Sequence, residues 1–285
     1  MKLIGIKRGT EFSPNMADND AAILEAVAEE LRGLGHEVET MSESHFCSSF
    51  TYSINKVDTD CVFGMYRNVE TLELLSRIES ELGIPCINSV RGIYNASRVK
   101  LTQIFREKQF PMPTSWLIPQ ETCLPQSFPA WLKRGEGCAQ VKEDVVYVEN
   151  AEEAERALQH FKERGVGKTV VACEHLEGDL VKFYGVEGTS FFNWGYASDS
   201  HSKFGLEERN GKVQGYVFSE AELKRIADEA AKVIDLPIYG GDCVVASDGS
   251  FKIIDFNDWP SFSRCREVAA KAIAQRIVQT VLNSK

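Results

Sequence analysis

"GGDCVVASDGSFKIIDFNDWP", residues 240–260, puts Asp242, Asp255 and Asn257 into a stretch that otherwise reads as two buried strands. Asp248-Gly249 divides it, a dipeptide suited to a two-residue hairpin loop because both positions tolerate positive φ. The runs on either side, "CVVA" and "FKIIDF", are rich in β-formers. With Asp248-Gly249 as the loop, Ser247 faces Ser250, Ala246 faces Phe251, Val244 faces Ile253, and Asp242 falls opposite Asp255. Alternation along the strand adds Asn257 to the same face. Two carboxylates on facing strand positions repel and weaken the pairing. Such a pair implies a cation between them, and hard cations such as Mg²⁺ are held by one or two carboxylates, with water and phosphate oxygens completing the shell. The competing readings are a register displaced by one residue or a solvated sheet edge. The rest of the chain has to choose.

The chain of 285 residues is long enough for a full core and for one to three domains. At 43% hydrophobic and 26% charged residues it has the composition of a globular protein. No apolar run approaches a membrane span, and "MKLIGIKRGTEF" is too short for a signal peptide, so membrane partners are not expected. The eight cysteines, including Cys123 and Cys138, show no CxxC spacing, and several lie in apolar runs, which points to free thiols and a reducing cytoplasm. The 32 basic and 42 acidic residues leave a charge of −10, a poor match to nucleic acid.

Residues 1 to about 90 alternate strand and helix patterns: "KLIGIK", an amphipathic helix from Asn19 to Leu34, "HEVETM", "DCVFGMY", the helix "VETLELLSRIESELG", then "IPCIN". This alternation predicts a parallel sheet with helices on both faces. No GxGxxG follows the first strand, which argues against a dinucleotide site. Arg8 and Arg67 follow strands and are candidates for the crevice at the strand ends. A helix "SRVKLTQIFREKQ" comes next, then an extended "FPMPTSWLI" enforced by its prolines. Strands are expected to end near Lys133 and over "DVVYVEN", with a helix over "AEEAERALQHFKERG" and three strands over "KTVVACEHL", "DLVKFYGVEG" and "TSFFNWGYA". Residues 198–214 lack apolar period and read as a loop over a site. Ser219 and Glu222 form a capping box ahead of a helix, and a last helix begins at "SRCREVAAKAIAQ". His175 and His201 show no sequence partner and read as structural or solvated.

In that order the signals resemble the ATP-grasp superfamily, from about Asn88 to the C-terminal helix. The stretch "NSVRGIYNASRVKLTQIFREKQFPMPTSW" is similar to its opening Asn, Lys-bearing helix and "P.P.T" strand. "FPAWLKRGEGCAQVKEDVVYVEN" is similar to its strand–loop–strand over the triphosphate, although with fewer glycines. "VVACEHLEGDLVKFYGVEG" resembles its hinge, and residues 240–262 its metal-binding hairpin. Within it the chain resembles the ribosomal-protein glutamate ligase, glutathione synthetase and D-alanine–D-alanine ligase type, with some features like the inositol trisphosphate kinase branch.

The resemblance implies an α/β chain: a Rossmann-like pre-ATP-grasp domain over 1–90, a small ATP-grasp subdomain with its linker helix over 91–170, and a C-terminal subdomain with the metal site over 171–285. It implies ATP and two Mg²⁺ ions as cofactors, with Mn²⁺ as a substitute, and Asp242, Asp255 and Asn257 as metal ligands. The family more often has Glu where this chain has Asp255, and Arg near Lys182; the inositol kinase branch shares both Asp and Lys. Lys100 and Lys133 would neutralise phosphates, Glu174 and Leu176 would lie at the adenine, and Glu177 or Asp179 would accept ribose hydroxyls. Lys182, Arg264 and Arg266 would serve the reacting groups. The implied activity is ligation of a carboxylate to an amine through an acylphosphate, on a small amino-acid or peptide-like substrate, in a chain whose relatives are commonly dimers. The alternatives are a kinase of a polar small molecule such as an inositol phosphate, and a module that binds ATP without turning it over.

Overall fold

The computed structural model describes residues 1–285 other than 14, 120–123, 138, 167, 200–204 and 285. Cys123, Cys138 and His201 therefore lie outside the described residues, as do residues 200–204 of the 198–214 loop. The first third of the chain runs β1 (Lys2–Lys7), α1 (Ala17–Gly33), β2 (Glu37–Ser42), α2 (Glu43–Phe50), β3 (Cys61–Gly64), α3 (Val69–Arg77) and β4 (Cys86–Ile87). Its strands form a parallel sheet in the order β2-β1-β3-β4. Alternation divides the sheet's side chains: Leu3, Cys61 and Phe63 pack under α1, and Ile4, Ile6 and Val62 under α2 and α3. The expected parallel sheet with helices on both faces is present. Helix α2 was not legible because it is short and rich in Ser; Ser42 starts it by accepting the amide of His45 at 3.2 Å. The predicted "VETLELLSRIESELG" helix is α3 followed by a turn of π-helix over Ile78–Leu82, stopped by Gly83 at φ 67°.

Next come α4 (Val90–Asn95), α5 (Arg98–Glu107), β5 (Ser115–Pro119), β6 (Ala130–Arg134), β7 (Val145–Val148), α6 (Ala151–Glu163) and β8 (Thr169–Glu174). Strands β5-β8-β6-β7 form an antiparallel sheet whose buried side meets α6 through Phe161 and Ala154. The chain ends with β9 (Asp179–Val186), β10 (Phe192–Tyr196), α7 (Glu220–Ile234), β11 (Ile238–Val245), β12 (Phe251–Asp258) and α8 (Arg266–Ser284). Here β10-β9-β11-β12 make a second antiparallel sheet. One of its faces is covered by α5 and α7 through Leu101, Phe105, Leu223 and Ile234. The other face, bearing Leu180, Lys182, Asp242 and Asp255, floors a cleft. At the start of α7, Ser219 caps the Glu222 amide at 3.2 Å, but the Glu222 carboxylate turns to Arg225, so half of the predicted capping box forms.

The last helix returns to the first sheet. Ile273, Ile277 and Val281 of α8 share one buried cluster with Leu24, Val27 and Leu31 of α1 and with Phe63, Trp259 and Phe262. Between the N-terminal sheet and β11, Asn88 acts as a splice. Its carboxamide is 1% exposed, donates to the Ile238 carbonyl at 2.8 Å, and accepts the Ile238 amide at 2.9 Å. Among the described residues no helix is long and apolar enough to cross a membrane.

Replacing Asn88 by Ala would take the side-chain acceptor from the buried Ile238 amide, while the Ile238 carbonyl would keep the Trp259 amide at 3.1 Å, a loss of roughly 1–3 kcal/mol. Urea titration of Asn88→Ala should show a lower midpoint with an unchanged slope; an unchanged midpoint would contradict this role.

Candidate active site

The hairpin that opens the sequence places its acids through a compensation of two offsets. Its loop is longer than two residues: Ala246 donates to Ser250 at 2.8 Å, and the ladder beyond it pairs Val245 with Phe251, Val244 with Lys252 and Cys243 with Ile253. That register is one step off the expected one. A β-bulge then takes up Ile254, and Asp242 pairs with Asp255 after all. Ile254 and Asp255 both line the cleft, whereas Ile253 and Phe256 join the core beneath α5 and α7. Asn257 lines the same cleft, opposite Gly240. The Ile254 carbonyl accepts a hydrogen bond from the Lys133 ammonium at 3.0 Å.

The facing acids sit inside a row of charges running across the sheet. On β9, Lys182 is in register with Asp242, and its ammonium lies 3.8 Å from that carboxylate. Beyond it, Gly195 of β10 is in register with Lys182, and the Arg264 guanidinium lies over it, so close that an added Cβ would stand 2.4 Å from it. On the other side, Arg98 from the start of α5 donates to Asp255 at 3.1 Å. Burial alone would raise the Asp255 carboxyl, but the Arg98 and Lys133 charges outweigh it and hold the group below the usual carboxylate range.

The cleft, about 820 Å³ in volume, has β6 and β7 as a wall and the β8–β9 connection at one end. At that end the Glu174 carboxylate is engaged by the Thr114 amide and by Lys252, each at 2.9 Å. Burial would raise it, yet these partners bring its pKa below the ordinary value. The amides of Glu174 and His175 go to the carbonyls of Thr114 and Pro129, while the Leu176 amide has no acceptor among the described residues. His175, expected to be structural or solvated, accepts from the Trp131 indole at its Nδ1 at 3.1 Å and stands edge-on to Tyr147. Of the 198–214 loop, Leu206 and Asn210 line the cleft, Asn210 donates to the Leu176 carbonyl at 3.3 Å, and Arg209 lies 5.1 Å from the centre of the Tyr147 ring.

At the opposite end Arg8 and Arg67 line the cleft, as their positions after β1 and β3 suggested. Arg8 donates to Met65 at 3.2 Å and to Trp259 at 3.1 Å through their carbonyls, and pairs with Asp20; Arg67 pairs with the buried Asp258. Trp259 at φ 34° and Phe262 at φ 48° turn the chain left-handed here. Both rings enter the core, and Ser261, Ser263 and Arg264 face the cleft.

Eight of the twelve site residues that the resemblance implied therefore share one cleft: Lys133, Glu174, Leu176, Lys182, Asp242, Asp255, Asn257 and Arg264. The other four are placed elsewhere. Lys100 is exposed on the outer side of α5; the cation that enters is Arg98, which shares a helix face with Leu101, Thr102 and Phe105, three, four and seven positions on. That periodicity was the available signal. Asp179 is 2% exposed and its carboxylate is spent on the amides of Gln214 at 2.7 Å and Tyr216 at 2.8 Å, so it anchors the end of the loop and is not open to a ribose. Glu177 is exposed and does not line the cleft. Arg266 ties α8 to α1 by donating to Asn19 at 2.9 Å.

No family model matches the chain, and no curated protein matches it in sequence. Solved structures do match over nearly its whole length. A D-alanine–D-alanine ligase from Bacillus anthracis is 16% identical, with 99% of this chain and 98% of that one covered, at a TM-score of 0.69. A RimK domain ATP-grasp protein from Sphaerobacter thermophilus is 16% identical, with 98% and 100% covered, also at 0.69. The D-alanine–D-alanine ligase of Coxiella burnetii is 12% identical, with 100% and 94% covered, at 0.72. The architecture is the ATP-grasp fold: a parallel N-terminal sheet followed by two antiparallel sheets that close on a cleft.

Burial lowers the pKa of His175, with Glu177 opposing weakly. The unfolded chain therefore takes up this proton more readily than the folded one, so the contribution of His175 to stability is complete above its ordinary value of about 6.5 and is lost as the pH falls through the lower folded value. NMR titration of the histidines should show a His175 midpoint below that ordinary value, accompanied by a shift of the Trp131 indole proton; a midpoint above it would refute the neutral acceptor.

Proposed function

We propose that this protein is an ATP- and Mg²⁺-dependent ligase that joins a substrate carboxylate to an amine through an acylphosphate, on a small amino-acid or peptide-like substrate. The observation that carries the reading is the paired Asp242 and Asp255 on the cleft floor, with Asn257 on the same side and cations on both flanks. The donor set is two carboxylates and a carboxamide, and among the described residues no group of three or more His, Cys, Asp or Glu forms a metal site. All-oxygen donors of this kind fit Mg²⁺, which keeps open positions for water and phosphate. Bound there, the metal would neutralise phosphate charge and align the transferred group.

The chain's own groups divide the remaining work along the cleft. The Leu176 amide and the apolar surfaces of Leu180, Val244 and Ile254 would hold the base at the hinge end. Lys133 and Arg98 would meet phosphate oxygens with charge-assisted hydrogen bonds. Lys182 and Arg264 stand on the far side of the acids, where they would stabilise charge on the phosphoryl group as it moves to the acceptor. The fold neighbours named as D-alanine–D-alanine ligases support ligation over other outcomes of the same phosphoryl chemistry.

The kinase alternative requires uncompensated positive charge at the acceptor end if the acceptor is a polyphosphate. Arg8 is paired with Asp20 and Arg67 with Asp258, which favours an acceptor of low charge. A module that only senses ATP would have no use for two facing acids, each flanked by a cation.

Calorimetry should show Mg²⁺-dependent ATP binding by the wild type. Asp255→Asn should weaken the Mg²⁺-dependent part by roughly tenfold or more, the equivalent of ~1.4 kcal/mol. Amino acids and dipeptides should then be screened for stimulated release of ADP and phosphate. Absence of nucleotide binding by the wild type would end this reading; ADP release without an amine requirement would favour the kinase.

A further inference from the structure

We propose that Arg98 couples the phosphate-binding and metal-binding parts of the cleft, by competing with a divalent cation for Asp255 until a polyphosphate draws its guanidinium away. This inference rests on the nucleotide and magnesium reading given above. Arg98 is largely buried at 13% side-chain exposure, and two of its three nitrogens are engaged: one by Asp255 Oδ2 at 3.1 Å, the other by the Arg134 carbonyl at 3.3 Å. The third, Nε, is buried and has no acceptor among the described residues. The fork is thus only partly satisfied where it lies, and it keeps a donor to offer to an incoming acceptor.

The bond to Asp255 bears directly on the metal position. Asp255 is the in-register partner of Asp242, and a cation held between them would approach a carboxylate that already accepts a charge-assisted bond. It would also be repelled by the guanidinium beside it. A metal arriving alone meets both obstacles. A polyphosphate changes the balance, because it presents several anionic oxygens to a planar fork built for bidentate contact. As Arg98 turns its bonding toward phosphate, the Asp255 oxygen is released to the metal. Metal and nucleotide then enter as a unit, and the facing acids do not fill with cation in the absence of nucleotide.

Lys133 provides an internal comparison. It lines the same cleft and lowers the Asp255 pKa, but its ammonium is hydrogen-bonded to the Ile254 carbonyl, with no hydrogen bond to the carboxylate. It contributes charge without occupying the ligand atom. The two residues therefore separate direct competition from the general electrostatic field.

The test is Mn²⁺ binding, followed by electron paramagnetic resonance of the free ion, for wild type, Arg98→Met, Arg98→Lys and Lys133→Met, each with and without saturating ADP. Without ADP, Arg98→Met should bind Mn²⁺ on the order of tenfold more tightly than wild type, which corresponds to losing ~1.4 kcal/mol of competition, at the lower edge of what a hydrogen bond to a charged group contributes. Arg98→Lys should lie between them. With ADP the advantage of Arg98→Met should disappear. Circular dichroism checks that each variant is folded, and Arg98→Lys carries the test should the methionine variant fail to fold. Unchanged or weaker nucleotide-free Mn²⁺ binding in the folded Arg98 variants overturns the coupling. An equal gain in Lys133→Met overturns it as well, because the effect would then be charge alone. If wild type holds no Mn²⁺ even with ADP, the metal-nucleotide reading itself fails and the coupling falls with it, a pattern distinct from the other two.

Discussion

Two carboxylates set opposite each other on adjacent strands are a destabilising element that a half-buried sheet tolerates only with compensation. Around Asp242 and Asp255 that compensation comes from three directions. Lys182 is in register on the neighbouring strand, Arg98 reaches in from the start of α5, and Lys133 crosses from the opposing sheet to the bulge carbonyl beside Asp255. Each donor belongs to a different element, so the mutual placement of β9, α5 and β6 is tied to the balance of charge on the cleft floor. The bulge at Ile254 supplies the remaining condition, because without it the register near the turn would not bring the acids opposite each other.

A second constraint holds the N-terminal sheet to this floor. Asp258 and Trp259 follow Asn257 directly, and their acceptors are taken by Arg67 and Arg8 from the ends of β3 and β1. Asn88 splices the other side of the same sheet onto Ile238, and α8 packs back across α1. The parallel sheet therefore shares a hydrophobic core with the C-terminal part of the chain and supplies one end of the cleft. Two buried ion pairs at that end leave the charges of Arg8 and Arg67 compensated.

Much of this was legible in advance, for identifiable reasons. Strand and helix order followed from apolar period, and the parallel sheet followed from β-α-β alternation. The polar residues of the hairpin stood out because they interrupt runs of strand formers. The less legible part was local geometry. Lys100 and Arg98 are two residues apart, and only the buried face of α5 decides which of them enters the cleft. Asp179 lies within a hinge-like stretch, yet its carboxylate is spent on the amides of Gln214 and Tyr216, a pairing across some thirty-five positions that no local pattern encodes. The role of His175, just past the end of β8, depends in the same way on Trp131 of β6.

By itself, then, the sequence determined most of the succession of elements, short helices such as α2 and α4 excepted, and the chemical character of the groups available to the cleft, because hydrophobic period and residue type are local properties. Tertiary structure decided which of those groups meet. Arg98 takes the place expected of Lys100, Asp179 becomes an anchor, and Arg8 and Arg67 become ties to the strand that carries Asp255 and Asn257. The physical reason is that electrostatic and hydrogen-bonded partners are chosen by distances of a few ångströms. Those distances are set by packing between segments far apart in the chain, and in the hairpin by a single extra residue whose presence the turn sequence did not announce.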